Sequence, residues 1–490
     1  MMTTTLIRNV DWAVAWDASN GRHVYRRNID IAFADDRIVH VGPRYPGAAD
    51  KVIDGSRVCV MPGFVDVHSH LVSECIGRGL IEELGNPKLY MSGIFDAKAP
   101  FITGKLAEQV GGRAAQLKAN YAATLMAISE LLTSGVTTIV DLAVAYDGWL
   151  DTLAESGIRA YAGPMFREAD WNVPEGRVVE YVWDRDKGRR DFIAALAVVD
   201  QARAHVSGRL DGIIAPAQVD TCSAEFLSEA LAAARDRGMR LTMHCSQSVI
   251  EFQEMTRRHG LSPVQWLDRI GVLGPDTLLG HALFLDHHSW VQWPTRRDID
   301  LIVKSGAAVA HCPLVFSRYG QMLEGLGTYI RNGVRVAMGT DTEPHNMMEE
   351  IRLAATMARI SARNIEAITL SEVFAAATVG GAAALGRDDL GRIAPGAKAD
   401  LVLLDLDAPS MMPVRDPLRS VVYTAADRGV RDVFVDGRQV VAGGTVLTID
   451  RARIGRLIEE AQEAFMANVP YVDFSQRTVN ELTPLSLPLA

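Results

Sequence analysis

The sequence predicts a (β/α)8 barrel of the TIM type carrying a small composite β-sandwich, and three observations lead there. Apolar, β-rich runs recur through the middle of the chain, each followed by a helical stretch rich in Ala, Leu, Glu and Arg. Short alternating segments occupy both ends instead. Histidines and one aspartate fall at the C-terminal ends of the central runs, where a barrel gathers its functional residues.

Taken in order, residues 6–60 hold short apolar stretches with period-two alternation, such as Trp12-Ala13-Val14-Ala15-Trp16 and Ile29-Asp30-Ile31-Ala32-Phe33, with Asp35-Asp36 at a turn. These read as strands and hairpins. The central runs lie at 60–68, 136–142, 158–165, 212–219, 240–245, 277–284, 307–312 and 335–340. Parallel neighbours need a crossover of helical length, so strands alternating with helices imply a parallel sheet. Their continuous apolarity fits strands buried on both faces. Eight repeats suit a closed barrel better than an open sheet. After residue 385 the hairpin pattern returns, at 398–405, 421–423 and 432–438. Neither terminal set can bury a core alone, so the two are expected to pair. The expected division is 1–61 with 391–450 as the composite sandwich, 62–390 as the catalytic barrel, and 451–490 as a C-terminal helix and tail. Asp450 suits the N-cap of that helix.

Composition excludes several classes. A formal net charge of -10 over 490 residues argues against a nucleic-acid or anionic-membrane partner, since either would want a basic face. The five cysteines are odd in number, widely spaced and without a CxxC pair, which speaks against a zinc ribbon or a disulfide framework. No secretory signal or membrane-length apolar run is visible. A cytoplasmic enzyme acting on a small molecule, assembled as a homo-oligomer, is expected.

Five of the 12 histidines sit at predicted strand ends: His68 and His70 after the first run, His244 on the fifth, His281 on the sixth and His311 on the seventh. The eighth run ends in Gly339-Thr340-Asp341-Thr342. Positions two apart on a strand face the same side, so the imidazoles of His68 and His70 can share one ion. Imidazole and carboxylate suit Zn, Fe, Mn or Co better than Cu(I) or Ca. Three His and one Asp leave an open position for water. Each residue alone has a blander explanation: His311 beside Cys312-Pro313 could be a core histidine, and Asp341 could cap the next helix. Their recurrence at barrel spacing favours the metal site.

Three segments carry a family resemblance: Pro62-Gly63-Phe64-Val65-Asp66-Val67-His68-Ser69-His70, Thr133-Ser134-Gly135-Val136-Thr137-Thr138, and Gly391-Arg392-Ile393-Ala394-Pro395-Gly396-Ala397-Lys398-Ala399-Asp400-Leu401. With them the chain resembles the amidohydrolase superfamily over nearly its whole length, in the single-metal branch of cytosine and guanine deaminases and of triazine, phenylurea and molinate hydrolases. The fourth run, 213–223, has no lysine to bridge a second metal. The resemblance implies one divalent transition metal per chain, zinc first with iron, cobalt or manganese as alternatives. It implies His68, His70, His244 and Asp341 as ligands, Asp341 also as base toward water, and His281 as the residue that orients that water or polarises the substrate.

The chain departs from this pattern at Gln247, three residues after His244, where deaminases of the branch carry a Glu that shuttles protons. An amide cannot do so. Ala217 stands where many relatives have a strand-four His, and His311-Cys312-Pro313-Leu314-Val315-Phe316 lacks the usual Ser-Asn after the proline. Phe316, Leu314, Met91, Phe95 and Trp171 could line a largely apolar pocket, with Gln247, Arg318 and Tyr319 as sparse polar contacts. A metal-dependent hydrolase of an amide, urea, carbamate or activated C–X bond follows. The alternatives are an aminohydrolase of a heteroaromatic amine, with Glu251 or Glu254 replacing the missing shuttle, and a barrel that binds metal without catalysis.

Overall fold

A computed structural model describes residues 3–72, 74–80, 112–172, 178–472 and 476–489. Its centre is a parallel barrel whose strands are Phe64–Ser69, Val136–Ala143, Arg159–Phe166, the broken pair Leu210–Gly212 and Ala215–Pro216, Leu241–Cys245, Thr277–His281, Ala308–His311 and Arg335–Met338. The first four positions form one hydrogen-bonded group and the last four another. Parallel bridges Ile214–Leu241 and Gln218–His244 join the groups on one side, and Ser69–Asp341 closes the ring on the other. Alternate residues fill the interior: Val65 and Val67, Val140 and Leu142, Ile213 and Ala215, Ala308 and Ala310. This is the layered packing expected of inward-pointing residues on a closed sheet. Several connecting helices begin at side-chain caps, among them Ser223, Ser248 and Asn346.

One predicted element divides. The run 60–68 holds two strands: Val58–Pro62 belongs to the terminal sheet and Phe64–Ser69 to the barrel. Gly63 lets them meet, because a Cβ there would lie 2.1 Å from the Thr137 hydroxyl. Apolarity is continuous across the junction, so the break left no trace in hydropathy.

The terminal strands form one nine-stranded sheet drawn from both ends of the chain. Phe33 and Phe434 lie four strands apart in that sheet, yet their rings meet at 5.6 Å between centroids. A flat sheet would separate them by roughly 19 Å at the usual interstrand spacing. The sheet therefore folds over itself as a sandwich around Ile7, Ile31, Val60, Leu401 and Phe434. The C-terminal helix runs Arg451–Val472, capped by the Asp450 carboxylate, which accepts from Arg453 N at 3.0 Å. An antiparallel hairpin, Ala169–Asn172 with Glu180–Trp183, follows the third barrel strand.

Candidate metal centre and active site

Barrel geometry brings the strand-end residues to one mouth. One ligand atom each from His68, His244, His281 and Asp341 converges within 4.8 Å, and all four residues are buried. His70 reaches into the same group: its Nε2 lies 3.1 Å from Nε2 of His244 and 3.4 Å from Oδ1 of Asp341. Asp341 Oδ1 stands 3.6 Å from His68 Nε2, and its Oδ2 stands 3.8 Å from His281 Nε2. His311, by contrast, is buried at the end of the seventh strand outside this group. The following helix is capped by Asn346, so Asp341 is not a helix cap.

The hydrogen bonds of two histidines determine their tautomers. Nδ1–H of His70 donates to the Leu142 carbonyl at 2.7 Å, and Nδ1–H of His244 donates to the Ala217 carbonyl at 2.6 Å. A neutral imidazole protonated at Nδ1 presents a lone pair at Nε2. Two lone pairs therefore face each other across 3.1 Å. A cation between them resolves the repulsion. Both ring nitrogens of His68 and of His281 are buried without a hydrogen bond. Each such group costs about 1–3 kcal/mol when left unmatched. Burial and the neighbouring imidazoles of His68 and His70 hold His244 well below the ordinary histidine range, so it stays neutral. Burial does the same for His281, against the opposing pull of Asp341. Burial raises Asp341, but His281, His68 and His70 outweigh it and hold the carboxyl well below its usual range. Neutral imidazoles beside an ionised carboxylate are what a divalent transition metal takes.

The backbone around the group is held under tension. His281 has φ 79, Asp341 φ 56 and Ser246 φ 54, left-handed values that side chains other than glycine rarely adopt. Asp341 is held there by a polar lacing between the first and eighth strands. The buried Asp66 carboxylate accepts from His68 N at 3.1 Å, Thr340 N at 3.2 Å and Thr340 Oγ1 at 2.7 Å. His70 N donates to the Asp341 carbonyl at 2.7 Å, and Asp341 N to the His68 carbonyl at 2.8 Å. Gly280 and Gly339 permit the approach, since a Cβ at either would come within 2.8 Å or less of His68. Asp66 had a visible signal, a charge inside an apolar strand, but nothing in the sequence named its partner.

Comparison with known proteins agrees with this geometry. The amidohydrolase family model matches residues 59–440. The chain belongs to the amidohydrolase family. This amidohydrolase is 29% identical to a 5'-deoxyadenosine deaminase of Methanosarcina mazei, covering 89% of this chain and 92% of the relative. It is 28% identical to a 5-methylthioadenosine/S-adenosylhomocysteine deaminase of Thermococcus onnurineus, over 88% of this chain and 93% of the relative. Among solved structures, atrazine chlorohydrolase from Arthrobacter aurescens, complexed with zinc, superposes with a TM-score of 0.80 at 22% identity, covering 94% of this chain and all of the other. An adenosine deaminase from Xanthomonas campestris with bound zinc gives 0.77, also at 22% identity, covering 95% of this chain and 99% of the other. They share its fold.

The residues expected to contact substrate separate into three sets. Phe316 is buried and packs edge-on against His281, with centroids 4.7 Å apart, so it forms part of the wall at the metal group. Trp171 lines a cleft with Arg167, Gln218 and Thr221. Gln247 is half-buried at the rim, where its backbone N donates to Glu251 Oε2 at 3.0 Å. Arg318 donates from Nη1 to the Glu343 carbonyl at 2.5 Å, and Tyr319 is half-buried beside it. Met91 and Phe95 lie outside the described residues.

The two carboxylates considered as substitute shuttles are otherwise engaged. Glu251 accepts Ser246 N at 2.5 Å and Gln247 N at 3.0 Å, one on each oxygen. Burial and the nearby Asp220 push its carboxyl up to about 8. Glu254 is clasped by Arg257 at 2.7 Å and Arg258 at 2.5 Å.

Proposed function

We propose that this amidohydrolase uses a single divalent ion to hydrolyse a C–N bond of an amide, urea or carbamate, or an activated C–X bond, in a small and largely neutral molecule. The observation that carries the reading is an intact ligand group combined with Gln247, an amide that cannot relay a proton, at the rim beside it. His68, His70, His244 and Asp341 would hold the ion, with zinc the first candidate, and the position of His281 allows it to bind as well as to orient. When bound, the ion supplies a water of lowered pKa and polarises the scissile centre. Asp341 is the group that can accept a proton, being ionised through the neutral range. His281 is kept neutral and is pinned by Phe316, so it can hold a polar atom of the substrate in one orientation. Gln247 can hydrogen-bond the substrate but leaves leaving-group protonation to Asp341, after that residue has taken the water's proton.

The curated relatives favour a second reading, deamination of an adenosine-type nucleoside. Against it stand Gln247 and the prior engagements of Glu251 and Glu254. One assay separates the two: ammonia release from 5'-deoxyadenosine, methylthioadenosine and S-adenosylhomocysteine, beside turnover of phenylureas, anilides and carbamates. Efficient nucleoside deamination with no hydrolysis in the second panel would replace the first reading by the second.

The same proposal divides the chain into a catalytic unit at 62–390, a composite sandwich from 1–61 and 391–450, and a C-terminal helix and tail at 451–490. It also has the protein a cytoplasmic homo-oligomer. All five cysteines are buried and none is in a disulfide, as suits a reducing compartment. No helix among the described residues is long and apolar enough to cross a membrane. Sedimentation of the purified protein reads the subunit count.

A further inference from the structure

The small pocket lined by Trp171 and Gln218 contains a polar atom with no hydrogen-bond partner. Gln218 is 9% exposed, and its Oε1 is buried without a hydrogen-bond partner. Gln218 and His244 are paired in a parallel bridge. The fourth strand spends four residues between its bridges at Ile214 and Gln218 where its neighbour spends three, from Leu241 to His244, so its alternation shifts by one after the inward-facing Ile213 and Ala215 and Gln218 shares the face of its partner His244. Ala217 contributes its carbonyl instead, as the acceptor that orients His244.

Hydrogen bonds and an ion pair tie down the walls around this amide. Trp171 Nε1 donates to Asp220 Oδ2 at 3.1 Å, and Tyr181 from the opposite strand of the hairpin donates to the same oxygen at 2.6 Å. Asp220 thereby fixes the hairpin to the rim of the fourth strand and sets the plane of the Trp171 ring. Arg258 lies over the rings of Tyr181 and Trp183, at 4.3 and 5.1 Å, and donates to the Asp220 carbonyl at 2.6 Å. Arg167, the cation lining the cleft, is neutralised by Asp170 at 2.6 Å. Thr221 donates its hydroxyl to the backbone carbonyl of Gln218, at 3.2 Å, leaving the side-chain oxygen without a partner.

We propose that Gln218 is a specificity-determining residue: its side-chain carbonyl accepts a hydrogen bond from an N–H of a neutral, planar substrate whose flat face lies against Trp171. This rests on the reading of the mouth as a site for small neutral C–N compounds, and it names the feature that selects among them. The substrate class is one with an N–H next to the scissile carbon and a planar group attached to it, as in an N-aryl urea or anilide. A buried acceptor that gains a partner only when substrate arrives rejects analogues lacking the donor, because they leave it unmatched. Asp220 is a positioning residue in this arrangement, acting through the hairpin.

The test uses the metal-loaded protein with N,N-dimethyl-N'-phenylurea, whose single N–H is the aryl one, and N,N,N'-trimethyl-N'-phenylurea, which has none, reading dissociation constants by calorimetry, or kcat/KM where a urea is turned over. Wild type should prefer the N–H compound by about tenfold or more. Gln218→Met and Gln218→Leu should lose most of that preference with metal content unchanged. Gln218→Glu, which keeps an acceptor in place, should recover it. Because the steric cost of the extra methyl is common to all variants, the ratio of preferences isolates the hydrogen bond. An undiminished preference in both apolar variants overturns the proposal, as does a wild type that binds neither urea or binds both alike. An N–H urea that binds with a Gln218-dependent preference yet is never hydrolysed leaves the recognition intact and removes the proposed reaction instead.

Discussion

Two buried clusters of charged and polar groups, one at the barrel mouth and one at the seam with the sandwich, follow opposite rules. At the seam, Arg159 begins the third barrel strand and places Nη1 and Nη2 each 3.3 Å from an oxygen of Asp400, while also bonding Asp436. Lys398 adds contacts to Asp436 at 3.0 Å and Asp36 at 2.6 Å, and Asp436 N donates to Asp400 at 2.8 Å. Every charge there has a partner. At the mouth, four imidazole nitrogens of His68 and His281 have none, and two lone pairs confront each other. Each cluster draws residues from the segments that resemble the family, His68 and His70 at the mouth and Lys398 and Asp400 at the seam, yet one is built to be complete and the other to be completed by something. Unmatched polar atoms, rather than burial or charge, distinguish the functional cluster from the structural one.

The comparison breaks most visibly under ligand removal. His244→Ala should abolish metal retention and lower turnover by more than about a hundredfold, a loss that even outer-shell changes at metal sites can reach. Chelation of the wild type should do the same reversibly. Metal analysis alongside activity checks it, and a fully active metal-free protein would refute the mouth's assignment. The seam should respond in the opposite way. Arg159→Ala strands the buried Asp400 carboxylate and should cost about 3–5 kcal/mol of stability. The protein that remains folded should keep its ion. Urea denaturation with metal content per folded chain reads both halves.

A smaller effect concerns pH. Asp389 links the barrel's end to the sandwich through Arg387 at 2.8 Å and Arg37 at 2.9 Å. Burial raises its carboxyl, but the two guanidiniums outweigh that and hold it down at about 2. A folded-state pKa below the unfolded value contributes stability that is present above about pH 4 and is lost as pH falls toward 2. The contribution should be about 1–2 kcal/mol after solvent screening. Asp389→Asn should flatten that part of the stability–pH curve, and an unchanged acid limb would count against the clamp.

The smallest expected effect is the most discriminating. Gln247→Glu should leave turnover of the best urea or anilide within about twofold, because the proposed reaction needs no shuttle there. A disguised deaminase should instead gain about a hundredfold or more in ammonia release, the usual worth of general acid–base catalysis. Parallel ammonia and hydrolysis assays on both proteins decide it.

The sequence by itself determined the repeating architecture and which histidines and carboxylate stand at strand ends. Strand periodicity, buried apolar runs and the two-residue spacing of His68 and His70 are local properties, written in consecutive residues. Because a barrel collects strand ends at one rim, His244, His281 and Asp341 could be assigned to the mouth without coordinates. Only the tertiary structure decided what depends on partners distant in sequence. The run 60–68 splits between two sheets because their pairing partners, not its hydropathy, differ. Asp66 laces strands that are hundreds of residues apart, and carbonyls of Leu142 and Ala217 choose the tautomers of His70 and His244. Trp171 is legible as an aromatic, but its use as a wall depends on Asp220 and Tyr181. Gln218 follows an alanine that drew attention only for a missing histidine. Its significance lies in a hydrogen bond it does not make, and a sequence records the groups a chain carries but not which of them folding leaves unmatched.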